Sequence, residues 1–311
     1  MLKNVVKIPI QDYSREEWLE LRRGSVGGSD AAGIVGLSKW AGAYSIWADK
    51  MGLLPEREQT EAMRQGTDLE EYVARRWKEE SGKKVRSVRA VLMNPEYPFA
   101  HANIDRYVVG EDSGLECKTT SMLNLKTFEQ GDYPAQYYCQ CVHYMAVTGA
   151  KRWYLAVLVL GKDFFMFTIE RDENEIKALM KREREFWRYV ESGEPPPVDG
   201  MGITTEVLQE IYSEGSGGEI ELFGRDKLIG EYYRHREIRD SAESEMEFIK
   251  QTLMADLGEN ETGLSNSYRV TWTPQNRRTF DVKRFGQENP DIDLEGYYRT
   301  SSSRVFRIKE I

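Results

Sequence analysis

The chain has 311 residues and a formal net charge of −9, with 40% hydrophobic and 11% aromatic residues. This length and composition predict one large or two ordinary domains with a substantial core, and no apolar run of about 18 residues suggests a membrane-spanning helix. The three cysteines lack CxxC spacing and the three histidines are scattered, which argues against a zinc site and fits free thiols in a reducing compartment. The N-terminus lacks an apolar signal region, so we expect a cytoplasmic protein.

The negative charge is distributed unevenly along the chain. Residues 206–259 hold 14 acids and 6 bases. Basic residues cluster elsewhere, at Arg22-Arg23, Arg75-Arg76, Lys83-Lys84 and Arg277-Arg278. An acidic chain is not an obvious DNA-binding protein, because phosphate contacts need lysine and arginine. The concentration of acids in one segment weakens that objection, and the basic clusters are either solvated faces or part of a surface for DNA.

The first predicted helix covers residues 14–23. Ser14 is a candidate N-cap, and Glu17 three positions later completes a capping box. A second short helix is predicted over residues 40–51, where Gly52 ends it.

A glycine-rich segment over residues 24–33 lies between these two helices, with Ser29 or Asp30 as the candidate cap of a further helix. Such a turn can hold a phosphate with its backbone N–H groups and the helix dipole, or it can be a plain capped turn. Neither GxGxxG nor GxxxxGK[ST] occurs in the chain, so the common nucleotide-binding fingerprints are absent.

A long helix is predicted over residues 59–80. Glu70 falls on its apolar face together with Trp77. A carboxylate on a buried face is costly unless it is paired or bound to a metal ion, so Glu70 is either a functional residue or a rim position. Neighbouring Glu71 falls on the outer face, where we expect an ordinary ion pair with Arg75.

The central segment predicts a β-hairpin, with one strand over residues 104–109 and a second over residues 115–118. Asp105 lies on the first strand, and Glu116 and Lys118 lie two residues apart on the second. Side chains alternate along a strand, so Glu116 and Lys118 point to the same face, about 6–7 Å apart along the chain. We expect the hairpin to bring Asp105 beside them.

Two carboxylates and an ammonium group supply the parts for metal-assisted hydrolysis of a phosphodiester. Carboxylates bind hard divalent cations such as Mg²⁺, and a bound cation lowers the pKa of a water molecule. A neighbouring lysine can orient or deprotonate that water, or stabilise developing charge. The same short pattern also fits a solvated hairpin whose Glu–Lys pair has no catalytic role.

The rest of residues 1–199 predicts an α/β (α+β) fold, in which helices flank a small mixed sheet. We place further strands at residues 84–93, 153–160 and 164–170, and further helices at residues 134–147 and 173–193. On the first of these helices Gln140 and Tyr144 share one stripe. That stripe is either turned toward the hairpin site or is the polar edge of an amphipathic helix.

Residues 200–311 form a second region without a catalytic constellation. We predict one long charged helix over residues 226–257, whose alternating charges suit packing against a partner helix. Strands or extended segments are predicted at residues 268–272, 278–285 and 304–309. The region is an accessory domain, a nucleic-acid clamp or an oligomer contact.

Five motifs occur in order along the chain. They are Leu21-Arg22-Arg23-Gly24 with Gly27-Gly28-Ser29-Asp30, Gly66-x-x-Leu69-Glu70, Asp105, Leu115-Glu116-Cys117-Lys118, and Gln140-x-x-x-Tyr144. Together they resemble the YqaJ-type viral recombinase family, relatives of phage lambda exonuclease within the PD-(D/E)xK nuclease superfamily. The resemblance covers about residues 14–200 and implies a restriction-endonuclease-like core over residues 1–199, with residues 200–311 as an accessory C-terminal extension.

The resemblance assigns metal and catalytic roles to five residues. Asp105 and Glu116 would ligate Mg²⁺ or Mn²⁺, with the backbone carbonyl of Cys117 as a third ligand. Lys118 would be the catalytic lysine beside the attacking water. Glu70 would be the first-motif carboxylate, bound to a metal ion or near it.

The resemblance also assigns roles in contacting DNA. Gln140 and Tyr144 match the QxxxY motif of exonuclease-like members, which supports the site and contacts DNA. Arg22 and Ser29 match positions that in lambda exonuclease hold the 5′-phosphate of the end being cut, in agreement with a phosphate site at the glycine-rich turn.

The implied activity is a 5′→3′ exonuclease on linear double-stranded DNA, which leaves a 3′ single strand for a single-strand annealing protein. Enzymes of the lambda type form ring-shaped homotrimers, so we expect a homo-oligomer without a membrane partner. A phage or prophage origin in a bacterial cytoplasm is expected. The last 110 residues exceed the smaller exonucleases, so the mode of assembly need not carry over.

Three other functions are compatible with these residues. One is a structure- or sequence-dependent DNA endonuclease of the same fold, which would cut a closed circle. Another is a non-cutting DNA-binding protein, although the four residues Glu70, Asp105, Glu116 and Lys118 together argue against it. A small-molecule phosphatase or nucleotide enzyme is the third, and it lacks a recognisable base-binding motif.

Overall fold

The computed structural model describes residues 5–56, 59–292, 294–299 and 303–309. The chain divides into two units, Met1–Ser213 and Glu214–Ile311. The helices are α1 Arg15–Arg23, α2 Gly28–Ile34, α3 Ala43–Lys50, α4 Glu61–Ser81, α5 Leu125–Glu129, α6 Ala135–Thr148, α7 Glu173–Ser192, α8 Gly202–Ile211, α9 Asp226–Leu257 and α10 Val282–Glu288. The strands are β1 Val6–Pro9, β2 Val85–Arg86, β3 Ala90–Met93, β4 His101–Ala102, β5 Arg106–Val108, β6 Ser113–Thr120, β7 Arg152–Val159, β8 Asp163–Glu170, β9 Thr262–Leu264 and β10 Arg269–Thr271.

The first unit is organised around a five-stranded mixed sheet with the strand order β2-β5-β6-β7-β8. Strand β6 pairs antiparallel with β5 and parallel with β7, and β7 pairs antiparallel with β8. Parallel neighbours need a crossover connection, which the segment containing α5 and α6 supplies. The predicted mixed sheet flanked by helices is confirmed.

Helices cover both faces of this sheet. Leu155 and Val157 of β7 belong to the core cluster that includes α6 and α7, whereas Tyr154 and Ala156 pack with Trp77 of α4. Strand β7 is therefore buried on both faces, which explains why its sequence is a continuous apolar run instead of an alternation.

A smaller sheet in the same unit has the order β1-β3-β4. The prediction of one strand over residues 84–93 is wrong, because this segment leaves one sheet and enters the other. Strand β2 pairs with β5, and β3 pairs with β1 and β4, while residues 87–89 belong to neither strand. The β-propensity of a segment predicts that its backbone is extended. The sheet that the segment joins depends on partner strands that are distant in the sequence.

Helix α8 belongs to the first unit, so the division falls after Ser213 and not at the predicted boundary of residue 199. Val207 of α8 is buried in a cluster with Tyr44, Trp47 and Phe186. Burial of the Val207 side chain stabilises the packing of α8 against the rest of the first unit. The prolines at 195–197 mark only the end of α7.

The second unit contains α9, the β9–β10 hairpin and α10. The long helix predicted over residues 226–257 is confirmed. The strand or extended segment predicted over residues 278–285 is wrong from Val282 onward, because the Asp281 side chain accepts a hydrogen bond from the Arg284 backbone N–H and caps α10. Residues 304–309 lie in the described part of the chain and form no strand. None of the described helices is both long enough and apolar enough to cross a membrane.

Candidate active site

The hairpin of β5 and β6 brings Asp105 beside Glu116. Arg106 pairs with Leu115 in the strand register, which places Asp105 next to Glu116 in the middle of β6. The prediction that Asp105 lies on the strand itself is wrong, because β5 begins only at Arg106. The Asp105 Oδ2 atom accepts a hydrogen bond from the Cys117 backbone N–H at 2.7 Å. The predicted strand pairing thus brings the two carboxylates to one place.

Glu116 is the buried centre of this site, with only 2% of its surface exposed. Its Oε1 atom accepts hydrogen bonds from Lys118 Nζ at 2.6 Å and from Gln140 Nε2 at 2.7 Å. Its Oε2 atom is buried without a hydrogen-bond partner among the described residues. An unpartnered buried carboxylate oxygen is costly, so this atom is a candidate ligand for a cation.

The carboxylates and the lysine shift one another's pKa values. Burial raises the pKa of Asp105 well above its usual range, and the negative charges of Glu116 and Glu70 raise it further. Burial also raises the pKa of Glu116, although the Lys118 ammonium opposes this. Burial lowers the pKa of Lys118, but Glu116 and Asp105 outweigh burial and the net pKa is raised. Lys118 is therefore a cation here.

Arg106 holds Glu70 at the edge of the site. Its Nη1 atom donates to Glu70 Oε1 at 2.5 Å and to the Asp105 carbonyl at 2.7 Å, while Nη2 donates to Glu71 Oε2 at 2.8 Å. Glu71 was expected to pair with Arg75; it pairs with Arg106 instead, because α4 packs over the β5–β6 hairpin. The sequence analysis missed Arg106, whose position beside Asp105 on a predicted strand was the available signal.

Helix α6 presents the predicted Gln140–Tyr144 stripe to the site. Besides its bond to Glu116, Gln140 Nε2 donates to Tyr144 Oη at 2.9 Å. Tyr144 is only 4% exposed and packs against α2, where a Cβ atom on Gly28 would lie 2.5 Å from the Tyr144 ring. The stripe therefore faces the site, and the missing side chain of Gly28 allows α2 to approach it closely.

Arg22 and Ser29 approach each other where α1 leads into α2. The Arg22 Nη2 atom is 3.4 Å from Ser29 Oγ, and the Arg22 guanidinium lies over the Trp18 ring at 4.7 Å. The predicted cap is wrong, since Gly27 is the N-cap of α2. Asp30 instead accepts a hydrogen bond from the Gly27 backbone N–H at 2.9 Å.

A cavity of about 440 Å³ opens beside Arg22. Trp40, Lys50 and Asp30 also line it, and Lys50 Nζ lies 2.7 Å from Asp30 Oδ2. Burial raises the pKa of Asp30, but the Lys50 cation outweighs burial and the net pKa is lowered. The carboxylates and lysine of the hairpin do not line this cavity, so it is distinct from the site around Glu116.

The donor atoms around Glu116 suit a hard divalent cation, which prefers oxygen ligands. Asp105 and Glu116 supply two carboxylates, one of which has the unpartnered buried oxygen. Within the described ranges, no group of three or more His, Cys, Asp or Glu side chains has a metal-binding arrangement, and Glu70 is engaged by Arg106. The residues fit a site of two carboxylates completed by backbone or water oxygens.

Two histidines that seemed scattered in the sequence come together next to α2. His143 Nδ1 lies 2.8 Å from Glu183 Oε1, and its Nε2 lies 2.8 Å from the carbonyl oxygen of His101. His101 Nδ1 lies 2.8 Å from Ser25 Oγ. These buried contacts support the segment that leads into α2. The residues that make them are distant in the sequence, so only the fold brings them together.

Comparison with known proteins gives consistent matches. A family model described as the YqaJ-like viral recombinase domain matches residues 17–151. The chain is 37% identical over 306 residues to a Bacillus subtilis (strain 168) protein called uncharacterized protein YqaJ, and the match covers 96% of each chain.

Solved structures of exonucleases are also similar to the chain. The crystal structure of LHK-Exo in complex with dAMP is 23% identical with a TM-score of 0.50, covering 57% of this chain and 93% of that chain. The alkaline exonuclease structure (LHK-Exo) from Laribacter hongkongensis is 22% identical with a TM-score of 0.49 and the same coverage. The first likeness shows a shared fold, so the predicted PD-(D/E)xK-type core is confirmed.

Proposed function

The chain belongs to the YqaJ-like viral recombinase family, and from this membership we propose that it is a metal-dependent 5′→3′ exonuclease acting on linear double-stranded DNA. The observation that carries the proposal is the buried Glu116 carboxylate, which has an unpartnered oxygen, the Asp105 carboxylate beside it and the Lys118 ammonium at 2.6 Å. This combination suits hydrolysis of a phosphodiester. The product would be a 3′ single strand, the form that an annealing protein needs for recombination.

Asp105 and Glu116 are the residues that would hold Mg²⁺ or Mn²⁺, together with the backbone carbonyl of Cys117. A bound cation of this kind polarises a phosphate oxygen and lowers the pKa of a water molecule. Glu70 adds negative charge from the edge of the site, where Arg106 holds it.

Lys118 acts as a cation in the proposed mechanism, because its pKa is raised by the two carboxylates. A fixed ammonium group can orient the attacking water and stabilise the negative charge that develops on the phosphate. Gln140 positions the Glu116 carboxylate, and Tyr144 positions Gln140 through their shared hydrogen bond. Both residues thus act by holding the carboxylate in place.

Arg22 and Ser29 are proposed to bind the 5′-phosphate of the DNA end. Arg22 lines the cavity, and its Nη2 atom lies 3.4 Å from Ser29 Oγ. A guanidinium group suits bidentate binding of phosphate. Arg22→Ala is expected to lower the preference for a 5′-phosphate over a 5′-hydroxyl by about 10–100-fold, since hydrogen bonds to charged groups contribute about 1.5–3 kcal/mol.

The measurement is kcat/KM on two duplexes that differ only in this terminal group. Arg75→Ala is the control, because Arg75 is an exposed arginine of α4 that does not line the cavity. Equal cutting of both ends by the native protein would refute the phosphate site.

The proposed partners are DNA ends, a single-strand annealing protein and further copies of the chain, with a ring-shaped trimer as the family assembly. A channel that collects the basic residues would reconcile DNA binding with the net charge of −9. Residues 200–311 are proposed as an accessory region of this assembly.

The test of the activity is digestion of one plasmid in Mg²⁺, supplied as closed circles and in linear form. Native protein is compared with Lys118→Ala and with Lys162→Ala, which changes an exposed lysine in the turn between β7 and β8. We expect the native and Lys162→Ala proteins to degrade only the linear form. Lys118→Ala should bind DNA ends without cutting them.

Other outcomes would indicate the other functions. Cutting of the closed circle would replace the exonuclease by an endonuclease of the same fold. DNA binding without cutting by any of the proteins would indicate a binding protein. Failure to bind DNA, together with release of phosphate from a small ester, would indicate a phosphatase.

A further inference from the structure

Helix α9 has an apolar seam along most of its length. Alternating steps of four and three residues give the positions Leu228, Tyr232, His235, Arg239, Ala242, Met246, Ile249 and Leu253. This alternation is the heptad spacing of a coiled coil, and it continues for more than three heptads. We call these eight positions, six of them apolar, the α9 seam.

The α9 seam is exposed in the single chain. The exposed fractions of its large apolar residues are 57% for Leu228, 48% for Tyr232, 69% for Met246, 50% for Ile249 and 40% for Leu253. Apolar residues of α9 that are half-buried or buried lie off the seam, at Ile229, Tyr233, Met254 and Leu257. The helix thus packs partly along another side and leaves in water an apolar line that only His235 and Arg239 interrupt along the seam. Exposed apolar surface of this kind usually marks an interaction surface.

We propose that the α9 seam pairs with the α9 seam of a second copy of this chain in an antiparallel two-stranded coiled coil. One register, centred between Asp240 and Ser241, aligns every seam position with another. The facing pairs are Leu228 with Leu253, Tyr232 with Ile249, His235 with Met246, and Arg239 with Ala242. A single two-fold axis satisfies all of these pairs at once, as a closed pair of identical helices requires. Because each chain has one α9 seam, this pairing doubles any assembly that the rest of the chain forms, including the proposed ring.

The charges on α9 are complementary in this orientation. Three arginines precede the centre of the helix and three glutamates follow it, at Arg234, Arg236, Arg239, Glu243, Glu245 and Glu247. Antiparallel pairing sets these three arginines on the half of each helix that faces the three glutamates of the other. The arginine half also carries Asp226, Glu231, Glu237 and Asp240 and has no net charge, whereas the glutamate half is net negative. Antiparallel pairing also places Arg236 beside Glu243 of the second copy twice along one edge of the seam, at positions that set the orientation of coiled coils.

A parallel pair is disfavoured by the centre of the seam. It would place Arg239 directly opposite its own copy, and desolvating a charge without a partner costs several kcal/mol. The parallel pair would gain edge contacts between Glu231 and Arg236 and between Glu245 and Lys250, but exposed ion pairs contribute at most about 1 kcal/mol each. In the antiparallel pair Arg239 faces the small Ala242, so its guanidinium can reach water along the seam.

The mass of the full-length protein in solution tests the pairing. Light scattering after size-exclusion chromatography compares native protein with Ile249→Glu and Phe248→Glu. Ile249 belongs to the seam, whereas its neighbour Phe248 is 65% exposed and lies off it. We expect Ile249→Glu to halve the mass of the native assembly and Phe248→Glu to leave it unchanged, with equal helix content by circular dichroism.

An unchanged mass for Ile249→Glu, or an equal change in both variants, would overturn the proposal. In that case the seam is covered by a different molecule or by none. The inference does not rest on the nuclease activity, and neither this measurement nor the next uses DNA.

Disulfide formation tests the orientation. Leu228→Cys and Leu253→Cys proteins with different tags are oxidised alone and as a mixture, and native protein, with its free Cys117, Cys139 and Cys141, gives the background. The antiparallel register predicts a disulfide only between the two different variants, because identical positions would lie about 38 Å apart at 1.5 Å per residue. Disulfides within each variant alone, or none in the mixture, would overturn the antiparallel register.

Discussion

Asp105 and Glu116 share a buried corner of the sheet in which burial and mutual repulsion raise both pKa values. A carboxyl group with a raised folded-state pKa contributes most to stability below its unfolded pKa. That contribution is lost as pH rises through the folded pKa, because the native state must then ionise against its surroundings. At neutral pH these two residues therefore lower the free energy of unfolding, as groups at functional sites often do.

Asp105→Asn should relieve this repulsion while keeping an acceptor for the Cys117 N–H group. In EDTA near neutral pH we expect a higher Tm by calorimetry, by about 2–4 °C for each kcal/mol relieved. Mg²⁺ should then raise the Tm of native protein but not that of Asp105→Asn, because a ligand stabilises only the state that binds it.

The control for this change is Asp68→Asn, whose side chain is 69% exposed on α4. Its Tm should equal that of the native protein both in EDTA and in Mg²⁺. An equal Mg²⁺-dependent rise in native protein and Asp105→Asn would argue against Asp105 as a metal ligand.

The two buried histidines have opposite protonation states. His143 faces a carboxylate and a carbonyl oxygen, and although burial lowers its pKa, Glu183 outweighs burial and the net pKa is raised. His101 is kept neutral, because burial and then the Lys50 cation lower its pKa to about 3. The His143 contribution to stability is therefore lost as pH rises above about 6.5, and the His101 contribution is lost as pH falls below it.

Nitrogen chemical shifts from NMR at about pH 5 should show a doubly protonated His143 and a neutral His101. Glu183→Gln should lower the free energy of unfolding by about 3–5 kcal/mol, the usual effect of removing one partner of a buried ion pair. Glu185→Gln, at a neighbouring position that is 41% exposed, should have little effect. A neutral His143 in the native protein would contradict this assignment.

At the scale of secondary structure, the close packing of α2 against α6 connects the glycine-rich segment to the hairpin site. A path of direct contacts runs from Gly28 through Tyr144 and Gln140 to Glu116. Close-packed interiors transmit small displacements, so a change in α2 should reach the carboxylate.

Gly28→Ala should lower the free energy of unfolding by about 1–3 kcal/mol, because the new Cβ atom overlaps the Tyr144 ring. Unfolding in urea measures this change in the free energy of unfolding. We also expect the Gly28→Ala protein to degrade linear DNA more slowly than the native protein. Gly202→Ala is the matched control at the start of α8, where no atom lies within 4 Å of an added Cβ. Equal stability of the two variants would mean that α2 can move away from α6 without cost.

At the scale of the whole molecule, the chain has two units joined by a segment without regular structure. Between the end of α8 and the start of α9, the described residues 213–225 form no helix or strand, and all are exposed. Exposed backbone without the hydrogen bonds of a helix or sheet is usually the first part of a protein that a protease cuts.

A glutamate-specific protease should therefore cut the native protein first after Glu214, Glu219 or Glu221. Mass spectrometry of the early fragments gives the positions. Glutamates within α7 should be cut only later, because helical backbone must open before a protease can bind it. First cleavage inside α7 or α9 would contradict the division into these units.

The sequence by itself determined the features that depend on residues close together in the chain. The Ser14–Glu17 capping box starts α1, Gly149 ends α6 in the left-handed conformation, and the bounds of α9 agree with the prediction. The order of motifs was enough to identify the family, because it depends on residue types and spacing alone.

Tertiary structure decided every feature whose partner is distant in the sequence. Pairing with different strands moved the chain from one sheet to the other at residues 87–89. Packing of α4 over the hairpin gave Glu70 and Glu71 the same partner, Arg106, and packing of α6 on α7 paired His143 with Glu183. The sequence named the carboxylates and the lysine of the site, but only burial determines their ionisation, since desolvation and neighbouring charges depend on the fold.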